Sequence, residues 1–295
     1  MPTPLISAVI TTWNRAHMVP RAIRSVQDQT CDSIEIIVVD DASEDDTVNV
    51  VSRLDDPRVR LIVNETNRGP GGAKNAGVNA ARGEYIAFLD SDDEWLPQKL
   101  ERQLRAMSAA DASPMSVTSC WIEPGNGSRF VRRYITHRDS LTAIASGEMY
   151  NFGSTSMIRR SCFSEVGAIR EDLTRFEDVE WMLRYSLRNE FLVLEEPLSV
   201  IASSGSPSRS TVAESTRIFA EATDSYLRTQ LPEIHSLVRG SLLYENALAA
   251  WRDGSRARAV WVLCEMLRSS PAHIPLFVRR VMRKLGELRT HSIQA

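Results

Sequence analysis

The chain has 295 residues, 43% hydrophobic and 25% charged, with a formal net charge of −3. That length corresponds to roughly two domains, and the composition excludes a disordered, collagen-like or coiled-coil chain. The total also excludes a polycation of the nucleic-acid-coating kind, although residues 1–205 carry 22 basic and 30 acidic side chains while residues 206–295 carry 13 and 8.

Strand and helix patterns alternate over the first hundred residues. Ile6–Thr12 is a short β-branched run, and residues 17–29 have helical spacing through Val19, Ile23 and Val26. Ile34–Val39 is an unbroken β-branched run, as expected for a strand covered on both faces. A helix over 46–54 and a strand over Val59–Val63 follow, then an Ala-rich helix over Gly71–Ala81 and a strand over Tyr85–Leu89. Such alternation predicts an α/β fold around a parallel, doubly wound sheet. Residues 112–205 are less regular. Strands are expected over Met115–Trp121, Arg129–Ile135, Ser154–Ile158 and Pro197–Ile201, and a helix over Asp178–Arg188. Beyond the polar stretch Ser203–Ser210, helices are expected over about 212–230, 234–252, 256–269 and 274–289. Ala247–Pro271 has the spacing of one tetratricopeptide-like hairpin, and one unit makes no solenoid. The division expected is a catalytic domain over 1–205, with halves at about 1–105 and 106–205, and a helical region over 206–295.

In doubly wound sheets, ligands sit beyond the carboxyl ends of the strands. Those ends are polar here. Thr12, Trp13, Asn14 and Arg15 follow the first strand, and Asp40 and Asp41 the second. Asn67, Arg68 and Gly69 follow the third, and Asp90, Ser91, Asp92 and Asp93 the fourth. Clustered carboxylates repel unless a cation sits among them. Oxygen-only ligands favour Mg²⁺ or Mn²⁺, which commonly bridge carboxylates to substrate phosphates. The residues alone therefore point to a nucleotide diphosphate site with a metal.

AVITTWNRAHMVPRAIRSVQDQT, IEIIVVDDASEDDT, NRGPGGAKNAGVNAARGEYIAFLDSDDEW, STSMIRRSCFSEVG and RFEDVEWMLR occur in that order. Together they resemble the family 2 glycosyltransferases of GT-A fold, over about residues 5–200. The resemblance implies transfer of a sugar from a nucleotide donor to an acceptor hydroxyl, with inversion and a divalent metal, Mn²⁺ or Mg²⁺. It places Asp92 on the metal, with Asp90 as a further ligand or a contact to the donor sugar. A helix N-cap is the rival reading of that cluster. It places Asp40 and Asp41 on the base and ribose. Thr12, Trp13, Asn14, Arg15, Arg68, Lys74 and Ser91 complete the nucleotide-sugar site, with Trp13 stacking on the base. Gly69, Gly71 and Gly72 would let a ligand approach the backbone closely. Asp178 would be the general base, with Glu177 and Trp181 facing the acceptor.

Two departures from the family pattern stand out. The histidine usual after the last strand is replaced by Ile201–Ser208, without histidine, and the Q-x-x-R-W motif of processive synthases is absent. One sugar per acceptor is therefore expected, the acceptor being a glycan, a lipid-linked saccharide or a small molecule. Three rivals are weaker. A sugar-1-phosphate nucleotidyltransferase needs a Gly-rich, Arg-containing loop after the first strand. A phosphoacceptor receiver domain is too short. An inactive GT-A scaffold would not need Asp90, Asp92 and Asp178.

No apolar run reaches the roughly 18 residues of a spanning helix, and the N-terminus lacks a signal peptide's basic flank and cleavage site. Cys31, Cys120, Cys162 and Cys264 form no C-x-x-C pair, so reduced, mostly buried thiols in a cytoplasmic protein are expected. The 32 arginines against 3 lysines suit a GC-rich bacterial genome and bacterial glycan or glycoconjugate assembly. Residues 274–289 read as a basic amphipathic helix, with Arg279, Arg280, Arg283, Lys284 and Arg289 opposite an apolar face. Peripheral contact with the inner face of an anionic membrane is one expectation for it, packing on the protein or a homodimer contact another.

Overall fold

The structure, a computed structural model, describes residues 3–108, 113–125, 127–134, 139–149, 152–202 and 207–269, with residues 271, 274, 275, 278 and 280 beyond them. Two compact units are formed. The first comprises Met1–His137 and Asn151–Ser204, the second Arg138–Tyr150 and Gly205–Ala295. A short segment in the middle of the chain thus joins the C-terminal helices.

The first unit opens with β1 (Ile6–Thr12), α1 (Val19–Gln27), β2 (Ile34–Asp40), α2 (Thr47–Ser52), β3 (Val59–Val63), α3 (Gly69–Ala80) and β4 (Tyr85–Asp90). The parallel order β3-β2-β1-β4 follows, as the alternating pattern predicts. Side chains alternate across a strand, so each strand feeds two cores. Ile6, Ala8 and Ile10 of β1 and Ile34, Ile36 and Val38 of β2 meet Val19, Ala22, Ile23 and Val26 of α1. The α1 residues recur at i, i+3, i+4 and i+7, one face of a helix. Full burial of each large aliphatic side chain contributes about 1.5–3 kcal/mol. On the other face, Val9 packs against α3 at Gly77.

The sheet is mixed beyond β4. It continues through β5 (Glu94–Trp95), α4 (Lys99–Met107), β6 (Met115–Glu123) and β7 (Phe130–Arg132). After the α5 segment (Ser140–Ala145) come α6 (Phe152–Thr155), β8 (Ser156–Arg159), α7 (Ser161–Val166), α8 (Glu177–Ser186) and β9 (Leu192–Ala202). The full order is β3-β2-β1-β4-β8-β6-β9-β5, with β7 on β6. β8 runs antiparallel between β4 and β6, and β6 pairs in parallel with β9. The strand expected over Ser154–Ile158 starts two residues later, because Phe152–Thr155 forms a helical turn.

The second unit packs α5 with α9 (Arg209–Leu227), α10 (Pro232–Arg252) and α11 (Arg256–Ser269). Ser208 caps α9 by accepting from the Thr211 amide at 3.1 Å. Gly254, at φ +83°, ends α10 with the left-handed turn that lets α11 fold back. The helix expected over 274–289 lies largely outside the described residues. Arg280 is described, and it is not on a solvated basic face. Its side chain is buried, donates to Ser241 Oγ at 2.8 Å, pairs with Glu245 and lies 4.3 Å from the Tyr244 ring centroid. Among the described residues no helix is long and apolar enough to cross a membrane. All four cysteines are free thiols. Cys120 and Cys162 are buried, Cys31 is half-buried and Cys264 is exposed.

Candidate active site

The ends of β1 and β2 create an incomplete hydrogen-bonding site. Thr12 lies opposite Asp40 in the parallel register. Both are buried, and Thr12 Oγ1 and Asp40 Oδ2 have no partner among the described residues. Leaving a buried polar atom unpaired costs about 1–3 kcal/mol, so two together at a strand end suit the polar groups of a ligand. Trp13, beside them, is 54% exposed. The loops around this spot are held tightly. Asn14 Oδ1 accepts from the Glu44 amide at 2.8 Å, the Asn14 amide donates to Ser43 Oγ, and the Arg15 amide donates to Thr47 Oγ1. Asp41 accepts from Asn64 Nδ2 at 2.7 Å and from the Arg68 amide at 3.0 Å. Asn14 and Asp41 therefore brace the loops through the groups expected to face the nucleotide.

Non-glycine residues with positive φ mark the same rim. Asn14, Ala42 and Phe176 have φ of 52°, 61° and 65°. Asparagine tolerates this region, whereas Ala42 and Phe176 have no polar side chain to compensate. Such strain costs on the order of 1–3 kcal/mol and clusters at functional sites. Phe176 directly precedes Glu177 and Asp178, so its left-handed turn sets where α8 begins.

Beyond β4 lies a carboxylate cluster around one lysine. Lys74 Nζ is buried, 2.6 Å from Glu177 Oε1 and 3.8 Å from Asp90 Oδ1. Desolvation pulls its pKa down, but Glu177, Asp90 and Asp178 outweigh that and hold it protonated. Asp90 is 44% exposed at its side chain. Its pKa is raised, first by desolvation and then by Asp92 and Glu177, against the opposing charge of Lys74. Asp178 Oδ2 accepts from the Gly153 amide at 3.2 Å, and Oδ1 from the Val179 amide at 2.8 Å. Desolvation and the Glu177 charge push the Asp178 carboxyl up to about 6, with Lys74 opposing and Asp90 adding. A carboxylate tuned near neutrality and fixed by two amides is suited to general-base work.

The turn from Asp90 to Glu94 is fastened by α6. Ser154 Oγ donates to Asp93 Oδ2 at 2.5 Å and accepts from the Asp90 amide at 3.0 Å. Asp93 Oδ1 also accepts from the Ala202 amide at 2.8 Å. Burial, with Asp90 and Asp92 adding, raises the Asp93 pKa well above the usual range. Gly153 stands so close to Asp90 that a Cβ there would lie 2.8 Å from Oδ2. Asp93 belongs to the acidic strand end that the sequence shows, but its fastening by Ser154, and the close approach of Gly153 to Asp90, join residues about 60 apart in the chain and have no local sequence signal. The cap reading of the cluster fails. Glu94 belongs to β5, and α4 follows Gln98 without a side-chain cap.

Several expected contacts are corrected. Trp181 is 2% exposed, stacks on Phe163 and Tyr185, and donates Nε1–H to the Gly167 carbonyl. It is core, with no face for an acceptor. Glu177 and Lys74 are buried and pair with each other, so the charge of each meets a protein partner. Arg68 reaches Glu171 at 2.7 Å. Ser91 is buried in the turn between Asp90 and Asp92. Gly71 and Gly72 are required by close protein neighbours. A Cβ at Gly71 would lie 2.2 Å from the Arg170 carbonyl oxygen, and one at Gly72 would lie 2.4 Å from Arg68 Cβ. Gly71→Ala is accordingly expected to lose about 1–3 kcal/mol of stability, read as a lower midpoint in urea unfolding. Of the stretch that replaces the family histidine, Ile201–Ser208, residues 203–206 lie outside the described residues.

The sequence model of glycosyl transferase family 2 matches residues 7–167, more than half the chain and all four parallel strand ends. The chain belongs to glycosyl transferase family 2. Succinoglycan biosynthesis protein ExoO of Rhizobium meliloti is 48% identical over 109 residues, covering 37% of this chain and 31% of that protein. A GalNAc(5)-diNAcBac-PP-undecaprenol beta-1,3-glucosyltransferase of Campylobacter jejuni is 35% identical over 173 residues, 55% of each. The matches thus span about a third to a half of these relatives. Two solved structures share the GT-A fold. S. aureus TarS 1–349 in complex with UDP has a TM-score of 0.60 at 18% identity, covering 90% of both chains. Mannosyltransferase PcManGT from Pyrobaculum calidifontis, in complex with GDP-Man and Mn²⁺, has a TM-score of 0.62 at 17% identity. It covers 97% of this chain and 81% of that one.

Proposed function

We propose that this family 2 member transfers one sugar, with inversion, from a UDP-sugar to a hydroxyl of a lipid-linked glycan, on the cytoplasmic side of a bacterial membrane. The observation that carries the reading is Asp178, held by two amides beside Asp90 with its carboxyl pushed up to about 6. An inverting displacement needs one such base. Asp178 takes the proton from the acceptor hydroxyl as its oxygen attacks the anomeric carbon from the face opposite the diphosphate. Thr12 Oγ1 and Asp40 Oδ2 accept hydrogen bonds from the base, uracil N–H suiting Asp40, and Trp13 stacks on it. The UDP bound to TarS and the undecaprenol-linked substrate in the Campylobacter enzyme's name support the donor and acceptor classes.

The residues fit a divalent cation. Asp90 and Asp92 carry crowded carboxylates, and Asp90 is partly exposed. Among the described residues no group of three or more His, Cys, Asp or Glu side chains converges as a cage. Two carboxylates with donor phosphates and water are a usual set for Mg²⁺ or Mn²⁺. Bound there, the ion would neutralise the leaving diphosphate. Lys74 keeps Asp90 and Glu177 in place, and Ser154 fixes the turn that carries Asp92.

The test is a donor-hydrolysis and transfer screen over UDP-, GDP- and dTDP-sugars with Mn²⁺ or Mg²⁺. Release of UDP from one UDP-sugar is expected. Absence of nucleotide binding to any of them by calorimetry would overturn the reading. Asp92→Asn is expected to lower turnover at least a hundredfold, because a ligand charge is lost. Stability should change little. Wild-type turnover in that variant would remove Asp92 from the site.

A further inference from the structure

One line of α1 is polar, and it meets the segment that follows β4. Arg21, Ser25 and Gln29 recur every four residues, the spacing of one helix face. Ser25 and Gln29 are buried. The Ser25 hydroxyl accepts from the Trp95 amide at 3.1 Å, and Gln29 Nε2 donates to the Leu96 carbonyl at 2.9 Å. Those two contacts fasten the backbone that leads into α4. Arg21, at the N-terminal end of the line, meets the acidic turn itself. Its Nη2 donates to the Asp92 carbonyl at 2.6 Å, and its Nε lies 3.2 Å from Glu94 Oε1.

The peptide that joins Asp92 to Asp93 is thereby held from both sides. Its carbonyl accepts from Arg21, and its N–H donates to the Asp90 carbonyl at 3.0 Å. A peptide unit is planar, so fixing both polar groups fixes the backbone on which the Asp92 carboxylate stands. Ser154 bonds to Asp93 and to the Asp90 amide, whereas Arg21 bonds to Asp92.

Stability does not account for this arrangement. The side chains of Arg21 and Glu94 are 46% and 30% exposed, and ion pairs so open to water add little to a fold. Charge alone works against it, because an arginine near a cation-binding carboxylate repels the ion. Glu94 offsets that charge, so the guanidinium supplies a charge-assisted donor with little net repulsion.

Given the cation site proposed above, we propose that Arg21 is a positioning residue for it: from α1 it orients Asp92 and so sets the affinity of the turn for Mn²⁺ or Mg²⁺. Outer contacts of this kind, one step removed from the ion, typically change metal affinity by roughly 10–100-fold when lost.

Mn²⁺ binding to the full chain, with and without UDP, is read from the loss of the free-ion electron paramagnetic resonance signal. Arg21→Met keeps the stem and loses the donor. Its Mn²⁺ dissociation constant should rise about tenfold, while metal-free UDP affinity and the urea midpoint stay near wild type. The sign separates the mechanisms, since loss of a positive charge alone would tighten Mn²⁺ binding. Arg24, one turn further along α1, is exposed. Arg24→Met removes the same charge and should leave Mn²⁺ affinity at or above that of wild type. Arg21→Lys, whose single ammonium cannot bridge both partners, should fall between Arg21→Met and wild type. Should Arg21→Met fail to fold, Arg21→Lys decides, and wild-type affinity in it overturns the proposal. Unchanged or tighter Mn²⁺ binding in Arg21→Met overturns it, as does an equal loss in Arg24→Met. A wild-type chain that binds no Mn²⁺ even with UDP overturns the cation site and this role with it, whereas Mn²⁺ bound equally by wild type and Arg21→Met overturns the role of Arg21 alone.

Discussion

Asp178→Asn is expected to lower sugar transfer by roughly 10²–10⁴-fold, the range for loss of a positioned general base, while UDP affinity stays nearly unchanged. The variant keeps an oxygen that can accept from the Gly153 or Val179 amide, but removes basicity. The pH dependence gives an independent readout. The base works deprotonated, and its carboxyl is pushed up from 3.8 to about 6. Wild-type kcat/KM should therefore fall as pH drops through about 6, and the limb should vanish from the variant's residual rate. Stability has the opposite sign. A raised carboxyl pKa means the folded protein binds the proton more tightly than the unfolded chain, so this group's contribution is present at low pH and lost as pH rises through about 6. At neutral pH the Asn variant should melt no lower than wild type. If UDP binding collapsed in Asp178→Asn while bound donor still turned over, Asp178 would be a binding residue.

Lys74→Met is expected to be the most damaging single change to the first unit. Glu177 and Lys74 are both buried and lie 2.6 Å apart. Removing one partner of a buried pair leaves an uncompensated charge, at a cost of about 3–5 kcal/mol. The same change removes the positive charge that lowers the Asp178 and Asp90 pKa values. The acid limb of the rate profile should therefore move to higher pH in whatever protein folds. Adding Glu177→Gln should recover much of the lost stability, because the orphaned carboxylate becomes neutral, and a double-mutant cycle in urea gives the coupling. Additive losses would show that Lys74 stabilises the fold through something other than Glu177.

Much of the site was legible because its parts are local. β-branched runs and helical spacing arise from sterics over a few residues. Ile6–Thr12 and Val59–Val63 match the expected strand limits residue for residue. Parallel pairing then brings Thr12, Asp40 and Asp90 to one edge of the sheet without further instruction. The order and spacing of five motifs added the family.

What the sequence by itself determined was thus the parallel half-sheet, the identity of the acidic strand ends, and the helical character of the chain from Arg209 to Ser269. What only the tertiary structure decided were pairings across long separations. Lys74 finds Glu177 across 103 residues, and this joined an expected nucleotide-sugar contact and an expected acceptor contact in a buried pair. Trp181 went to the core because Phe163 and Tyr185 flank it, and Ser154 gained its role by meeting Asp93 across 61 residues. Lys99 shows the same point. Lysine is among the residues least often buried, yet Lys99 is fully buried against Trp95 and Gln103, and desolvation drives its pKa well down. Arg138–Tyr150 joins the C-terminal helices although it is flanked in the chain by residues of the other unit. Local pattern sets the type of an element. Which buried charge meets which is set by the global packing that excludes water from both.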